Sequence, residues 1–317
     1  MSVWEFILDK LSGAQQVMLL YVLESEGSSP GRQGFKMAVA DDGTFCGTIG
    51  GGIMEHKLVE KAKALLQQNE GHVLLMRQHH DKEHASNQSG MICSGSQLNA
   101  FIPLSNSDKL TIEKIISEEK RSIRLSPDGL RIVGEAAIGL QYNTDEDWVY
   151  REAINQRPVI HIIGGGHVGL ALSELMKFLG FYIKLYDDRP ELNTVDANSF
   201  AHEKYTVNYE SIASRFIDVE NDYAVIMTIG YRTDKAVLKQ LIDKPFFYLG
   251  LLGSDHKIKM LLRELEAEGI SVQSLQNIHT PIGINIFSKT TKEIAVSIAA
   301  EIIREKNKKL PTGRQGA

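Results

Sequence analysis

The chain has 317 residues, 43% hydrophobic and 24% charged, with a formal net charge of -5. That length exceeds one ordinary core, so two domains are expected, and the composition is that of a soluble globular protein. The acidic balance argues against a nucleic-acid surface, and two cysteines, Cys46 and Cys93, exclude a disulfide framework and a C-x-x-C zinc site.

The opening residues have neither the basic region nor the apolar run of a signal peptide or membrane span, so the expectation is a cytoplasmic protein with no membrane or nucleic-acid partner. Ser2 and Glu5 stand at capping-box spacing before Ile7 and Leu11, which predicts a short amphipathic helix. Val17–Leu23 and Phe35–Ala40 read as strands around the loop Gly27-Ser-Ser-Pro-Gly-Arg32-Gln-Gly34, either an anion wrap with Arg32 as its charge or a plain hairpin connection. Thr44–Ile49 is a third strand. It runs into Gly50, Gly51 and Gly52 and then a helix over Ile53–Gln68, so the amides heading that helix form an available anion cradle. Glu55, in the first turn, is either a structural cap or a ligand or metal contact. His72–Arg77 reads as a strand and His79–Gly90 as an exposed loop, whose three histidines lack organised ligand spacing. Cys93, between that loop and the strand Leu98–Leu104, is a thiol that backbone amides can activate, or an inert buried one.

Asp108–Glu119 reads as a helix and Ser122–Gly134 as a hairpin around Pro127-Asp-Gly. Trp148–Gln156 is expected to be a connecting helix or linker. Next, Pro158–Asp188 runs strand, glycine turn, helix, strand. Gly164, Gly166 and Gly169 fit G-x-G-x-x-G, the helix begins at His167, and Asp187 ends the second strand roughly 20 residues later, where an acid can bind a ribose hydroxyl. If a dinucleotide binds, Asp187 should favour NAD over NADP, with Arg189 working against that preference. Strands at Tyr223–Ile229 and Phe246–Leu252 alternate with helices at Thr233–Ile242, Ser254–Glu268 and Thr291–Glu305. The fold class is therefore α/β: a Rossmann-like doubly wound parallel sheet over 158–317, preceded by a smaller α/β domain over 1–106 and a helix, hairpin and linker over 107–157.

Several motifs in one order resemble the XdhC/CoxI family, accessory factors of xanthine dehydrogenase and related molybdenum hydroxylases. They are Gly27-Ser-Ser-Pro, Gly47-Thr-Ile-Gly-Gly-Gly with Glu55, Met91-Ile-Cys93-Ser-Gly, Gly164-Gly-Gly-His167-Val-Gly169, Gly250-Leu-Leu-Gly-Ser254, Pro281-Ile-Gly283 and Lys292–Glu301. The resemblance implies a maturation factor, with no turnover of its own. Such a factor binds and protects molybdenum cofactor (molybdopterin), supports its sulfuration by a cysteine desulfurase, and delivers it to a xanthine dehydrogenase-like apoenzyme. It also implies a homodimer. On this reading Cys93 is a molybdenum ligand, and the two glycine turns, Glu55, His167 and Asp187 are cofactor-binding residues. The family's Cys-Gly-Gly is Cys93-Ser-Gly here, and its Asp-Ile-Gly-Ala is Asn285-Ile-Phe-Ser288. The alternative is an NAD(P)-dependent oxidoreductase, which the glycine fingerprint permits, although no proton-transfer set is evident from spacing.

Overall fold

The computed structural model describes residues 1–27, 29–68, 71–79, 95–117, 121–134, 138–154 and 157–309. The chain divides into two compact units, Met1–Gln156 and a second beginning at Arg157.

The first unit opens with helix α1 (Val3–Ser12), whose capping box forms as the Ser2/Glu5 spacing predicts. Strands β1 (Val17–Gly27), β2 (Lys36–Ala40) and β3 (Phe45–Thr48) follow, then helix α2 (Gly52–Gln67) and strands β4 (Leu74–His79) and β5 (Gly95–Leu104). Among the described residues these strands form one antiparallel sheet in the order β3-β2-β1-β5-β4. Strand β1 is buried on both sides, which accounts for its near-continuous apolar run. Met18, Leu20 and Val22 face Met54, Leu58 and Ala62 of α2. Leu19, Tyr21 and Leu23 join the opposite core with Phe6, Ile7 and Leu11 of α1 and with Ile112 and Ile115 of helix α3 (Lys109–Ile116).

That second core is closed by another sheet, made of β6 (Arg121–Ser126), β7 (Gly129–Val133), β8 (Gly139–Thr144) and β9 (Asp147–Ile154) in the order β7-β6-β9-β8. The β6–β7 hairpin is the expected one. Residues 148–154 correct the expectation of a connecting helix or linker, because they form strand β9, paired to β6 and β8. Trp148, Tyr150 and Ile154 alternate into the core at the strand period, and Glu152 breaks the pattern at a fourth inward position. Its carboxylate accepts hydrogen bonds from the hydroxyls of Tyr21 (2.6 Å) and Tyr150 (2.8 Å) and pairs with Lys36 at 3.3 Å.

The second unit contains β10 (Val159–Ile163), α4 (His167–Phe178), β11 (Tyr182–Asp187), the short α5 (Asn193–Asp196), β12 (Glu203–Thr206) and a 3-10 segment over Tyr209–Arg215. It continues with β13 (Tyr223–Ile226), α6 (Tyr231–Leu241), β14 (Tyr248–Leu251), α7 (Asp255–Ala267), the short α8 (Val272–Gln276) and α9 (Thr291–Lys309). All strand pairs are parallel, in the order β12-β11-β10-β13-β14. Val159–Ile163 and the second strand are adjacent and in register, Val159 opposite Tyr182, as the strand, turn, helix, strand reading requires. Helices cover both faces: α4 and α9 pack through Leu172, Met176, Ile298 and Ile302, while the 3-10 segment, α6 and α7 pack through Ile212, Val237 and Leu261. This is the doubly wound α/β fold, with its topological switch between β10 and β13. No helix among the described residues is long and apolar enough to cross a membrane.

Candidate functional site

In the second unit the site is built at the carboxyl end of β10. A Cβ on Gly164 would fall on the Met227 carbonyl, and one on Gly169 on the Gly164 carbonyl, so these glycines allow close backbone approach within the protein. Asp187, at the end of β11, is 2% exposed and accepts a hydrogen bond from the Gly165 amide at 2.7 Å. Thr194 of α5 donates its hydroxyl to the Gly165 carbonyl at 2.6 Å. The turn is thus held on both polar groups of its middle residue. Gly166 differs. Its φ of -67° and ψ of -169° are open to any residue, and a Cβ there would meet nothing within 4 Å. No side chain caps α4, so His167, exposed at its first position, and the amides of its first turn look outward beside that space.

The Asp187 carboxylate is also bound by Arg189, through the amide (3.0 Å), Nε (2.8 Å) and Nη2 (2.9 Å). Burial pushes the Asp187 carboxyl up, but Arg189 and the two amides outweigh it and hold the group below the usual carboxylate range. Both oxygens are therefore engaged within the chain, and a ribose hydroxyl would have to compete for them. Beside the turn, Asp234 of α6 is fully buried, accepts from the Thr228 amide (2.9 Å) and hydroxyl (2.6 Å), and pairs with Lys257 of α7. The segments at the ends of β13 and β14, Thr228–Asp234 and Gly250–Asp255, are thereby tied together. Lys257, two residues beyond the second motif, is the member that sequence reading missed.

In the first unit, two glycine loops meet at one end of the sheet. A Cβ on Gly31 would collide with the Ile49 carbonyl, and one on Gly50 (φ +130°) with the Gly31 amide. Gln97 of β5, fully buried, accepts from the Ser29 hydroxyl at 2.9 Å and donates to the Ile49 carbonyl (3.0 Å) and to Asn99 (2.7 Å). Gly27 pairs with Gly95 in the β1–β5 register. Ser29 and Ile49, from the two glycine loops, therefore meet on Gln97 in one polar cluster, and Gln97 is the residue that spacing could not reveal. Glu55 accepts from the Thr48 hydroxyl (2.5 Å) and from the amides of Ile49 (3.1 Å) and Gly51 (2.9 Å). The Gly50–Gly52 turn, read as an anion cradle, already has the Glu55 carboxylate as its anion. Cys93, His80 and His84 lie outside the described residues, as does the side chain of His79. Among the described residues no cluster of His, Cys, Asp and Glu could hold a metal ion. Cys46 on β3 is a free thiol, its Sγ 3.8 Å from the Met1 carbonyl.

A family model described as the XdhC Rossmann domain matches residues 160–302, and one described as the XdhC and CoxI family matches residues 11–77. The uncharacterized protein YqeB of Escherichia coli is 27% identical over 288 residues, 90% of this chain. The chain spans 43% of YqeB's length. The molybdenum cofactor insertion chaperone PaoD of Escherichia coli is 22% identical over 313 residues, 95% of this chain and 87% of PaoD. A crystal structure described as a xanthine dehydrogenase from Bacillus halodurans superposes with a TM-score of 0.71 at 22% identity, over 99% of this chain and 98% of that one, and supports the fold.

Proposed function

This chain belongs to the XdhC/CoxI family, and on that premise we propose that it binds molybdenum cofactor as an accessory factor for a xanthine dehydrogenase-type molybdenum hydroxylase. It protects the cofactor, supports its sulfuration by a cysteine desulfurase, and delivers it to the apoenzyme in the cytoplasm. The likeness to PaoD, named for cofactor insertion, supports the carrier role.

The observation that carries this reading is Gly166. Neither its backbone angles nor its neighbours demand glycine, yet a side chain there would fill the space in front of the uncapped start of α4. The residues fit a phosphate-bearing pterin: outward amides of the first turn of α4 for the phosphate, with His167 beside them. When bound, the cofactor supplies a molybdenum centre able to take a soft thiolate ligand. The family resemblance assigns that role to Cys93. Asp187 and Glu55 act by holding the two glycine turns in shape, since both carboxylates are spent on backbone amides.

A nicotinamide dinucleotide at the same turn is the second reading, favoured by the strand order and by an acid at the end of β11. Purification from cells able to make molybdenum cofactor separates the two. Co-purifying pterin and molybdenum, lost in Cys93→Ser and kept in Cys46→Ser, supports the carrier. Bound NAD(P) with turnover of a carbonyl substrate and no pterin would replace it.

A further inference from the structure

The carboxyl ends of β13 and β14 carry an ion pair that the fold alone does not require. Asp234, in the first turns of α6, is fully buried and divides its two oxygens: Oδ1 accepts from the Thr228 amide and hydroxyl, and Oδ2 pairs with Lys257. Exchanging a buried ion pair for apolar side chains is often neutral or stabilising, so packing gives no reason for this one. Helix α7 does not require it either. Lys257 stands in its first turn, where a cation opposes the helix dipole, and the Ser254 hydroxyl already caps the helix by accepting from the Lys257 amide at 3.4 Å.

The pair is displaced toward the glycine turn. Lys257 belongs to the helix after β14, two strands away from β10, yet its side chain reaches back to the end of β13. There Thr228, which Asp234 holds, abuts the turn, since a Cβ on Gly164 would lie 3.0 Å from the Thr228 amide nitrogen. The Lys257 side chain stays 27% exposed. An ammonium has three N–H donors, and among the described residues this one donates to Asp234 alone.

We propose that Lys257 is a ligand-binding residue: its ammonium, steered by Asp234, meets a phosphate monoester seated on the first-turn amides of α4, in the crevice between β10 and β13. The proposal deepens the reading of that turn as a phosphate seat and rests on it. Amides and a helix dipole supply partial positive charge, whereas a phosphate monoester carries about 1.5 to 2 negative charges at neutral pH. A full positive charge is needed beside them. Of the other cations on these loops, Arg189 is bound to Asp187, and Arg232 stands exposed on α6. A lysine held by a buried carboxylate is oriented before the ligand arrives, which lowers the ordering cost of binding.

Nuclear magnetic resonance of the isotopically labelled full-length chain, free of cofactor and titrated with inorganic phosphate, tests the assignment. In the native sequence the amides of residues 166–169 and the Lys257 side-chain methylene next to the ammonium, identified by its loss in Lys257→Arg, should shift over the same phosphate concentrations. Asp234→Asn combined with Lys257→Met removes both charges, so it strands neither and leaves the net charge unchanged. That double variant should melt cooperatively and bind phosphate about tenfold more weakly. A Lys257 signal that stays in place while the turn amides shift, or equal affinity in the double variant, overturns the role of Lys257 and leaves the phosphate seat standing. No phosphate at the turn of the native chain overturns both.

Discussion

At the scale of single residues, the three fingerprint glycines do different work, and the difference can be measured. A Cβ on Gly169 would overlap the Gly164 carbonyl where α4 leaves the turn, so Gly169→Ala should lower stability by roughly 1–3 kcal/mol, as overpacking does. Gly166→Ala meets open space at an ordinary backbone angle, and its stability should stay within about 0.5 kcal/mol of the native chain. Cofactor retention should respond in the other sense: Gly166→Ala loses it while the fold stands. Thermal melts paired with pterin analysis check both halves. Retention unchanged in Gly166→Ala would place the ligand elsewhere. Asp187 shows why residue roles are harder to read than motifs. Its position at the end of β11 was legible, but its saturation by Arg189 and two amides depends on rotamers that spacing does not encode. The same holds for Glu55, by sequence a cap or a ligand or metal contact, whose three hydrogen bonds come from the Thr48 hydroxyl and the Ile49 and Gly51 amides of the preceding turn.

At the scale of elements, Pro281-Ile-Gly283 and Lys292–Glu301 turn out to be halves of one staple. Glu301, 7% exposed on α9, accepts from the Tyr248 hydroxyl of β14 at 2.8 Å, the Gly283 amide at 2.7 Å and Arg304 at 2.9 Å. One carboxylate thus fixes α9, β14 and the connecting segment together. Glu301→Gln presents an amide N–H to at least one donor and should cost about 1–3 kcal/mol. Tyr248→Phe should cost about 1 kcal/mol, and the double variant less than the sum, because the two share one bond. Additive losses in denaturant titrations would show the groups to be uncoupled. Elements with strong periodicity were legible: β10 falls on the expected residues, α1 and α4 begin where the capping and glycine signals put them, and α7 lies within the expected Ser254–Glu268. Three strands were not. Glu203-Lys-Tyr-Thr206 is a short, polar edge strand, β8 is mostly exposed, and in β9 the inward Glu152 hides an alternation that Trp148, Tyr150 and Ile154 otherwise keep. In each case the missing signal is tertiary. The edge is stabilised by its neighbour, and Glu152 by two tyrosines and a lysine.

At the scale of the whole molecule, burial of phenols ties stability to alkaline pH. In the second unit, burial pushes Tyr223 up to about 12. Burial, with nearby carboxylates adding to it, pushes Tyr186, Tyr209 and Tyr248 higher still. In the first unit, Tyr21 and Tyr150 are raised by burial and then by Glu152. Unfolded tyrosines titrate at about 10. Above that pH the unfolded chain releases protons that the folded chain retains, so stability is full below about pH 10 and falls as pH rises toward the folded values. Each such phenol removes about 1.4 kcal/mol per pH unit within its interval. Ultraviolet absorbance of tyrosinate and far-ultraviolet circular dichroism, followed together, should therefore show the buried phenolates appearing only as the helical signal is lost. Tyr223→Phe is the discriminating variant. The ring of Tyr223 packs edge-on against Phe181, 5.2 Å between centroids, and burial alone accounts for its shift. Replacing its hydroxyl should change stability little at neutral pH and move the alkaline transition upward. An unmoved transition would mean that Tyr223 reaches water in the folded state, and that the β10–β13 strand pair is looser at its amino end than its packing indicates.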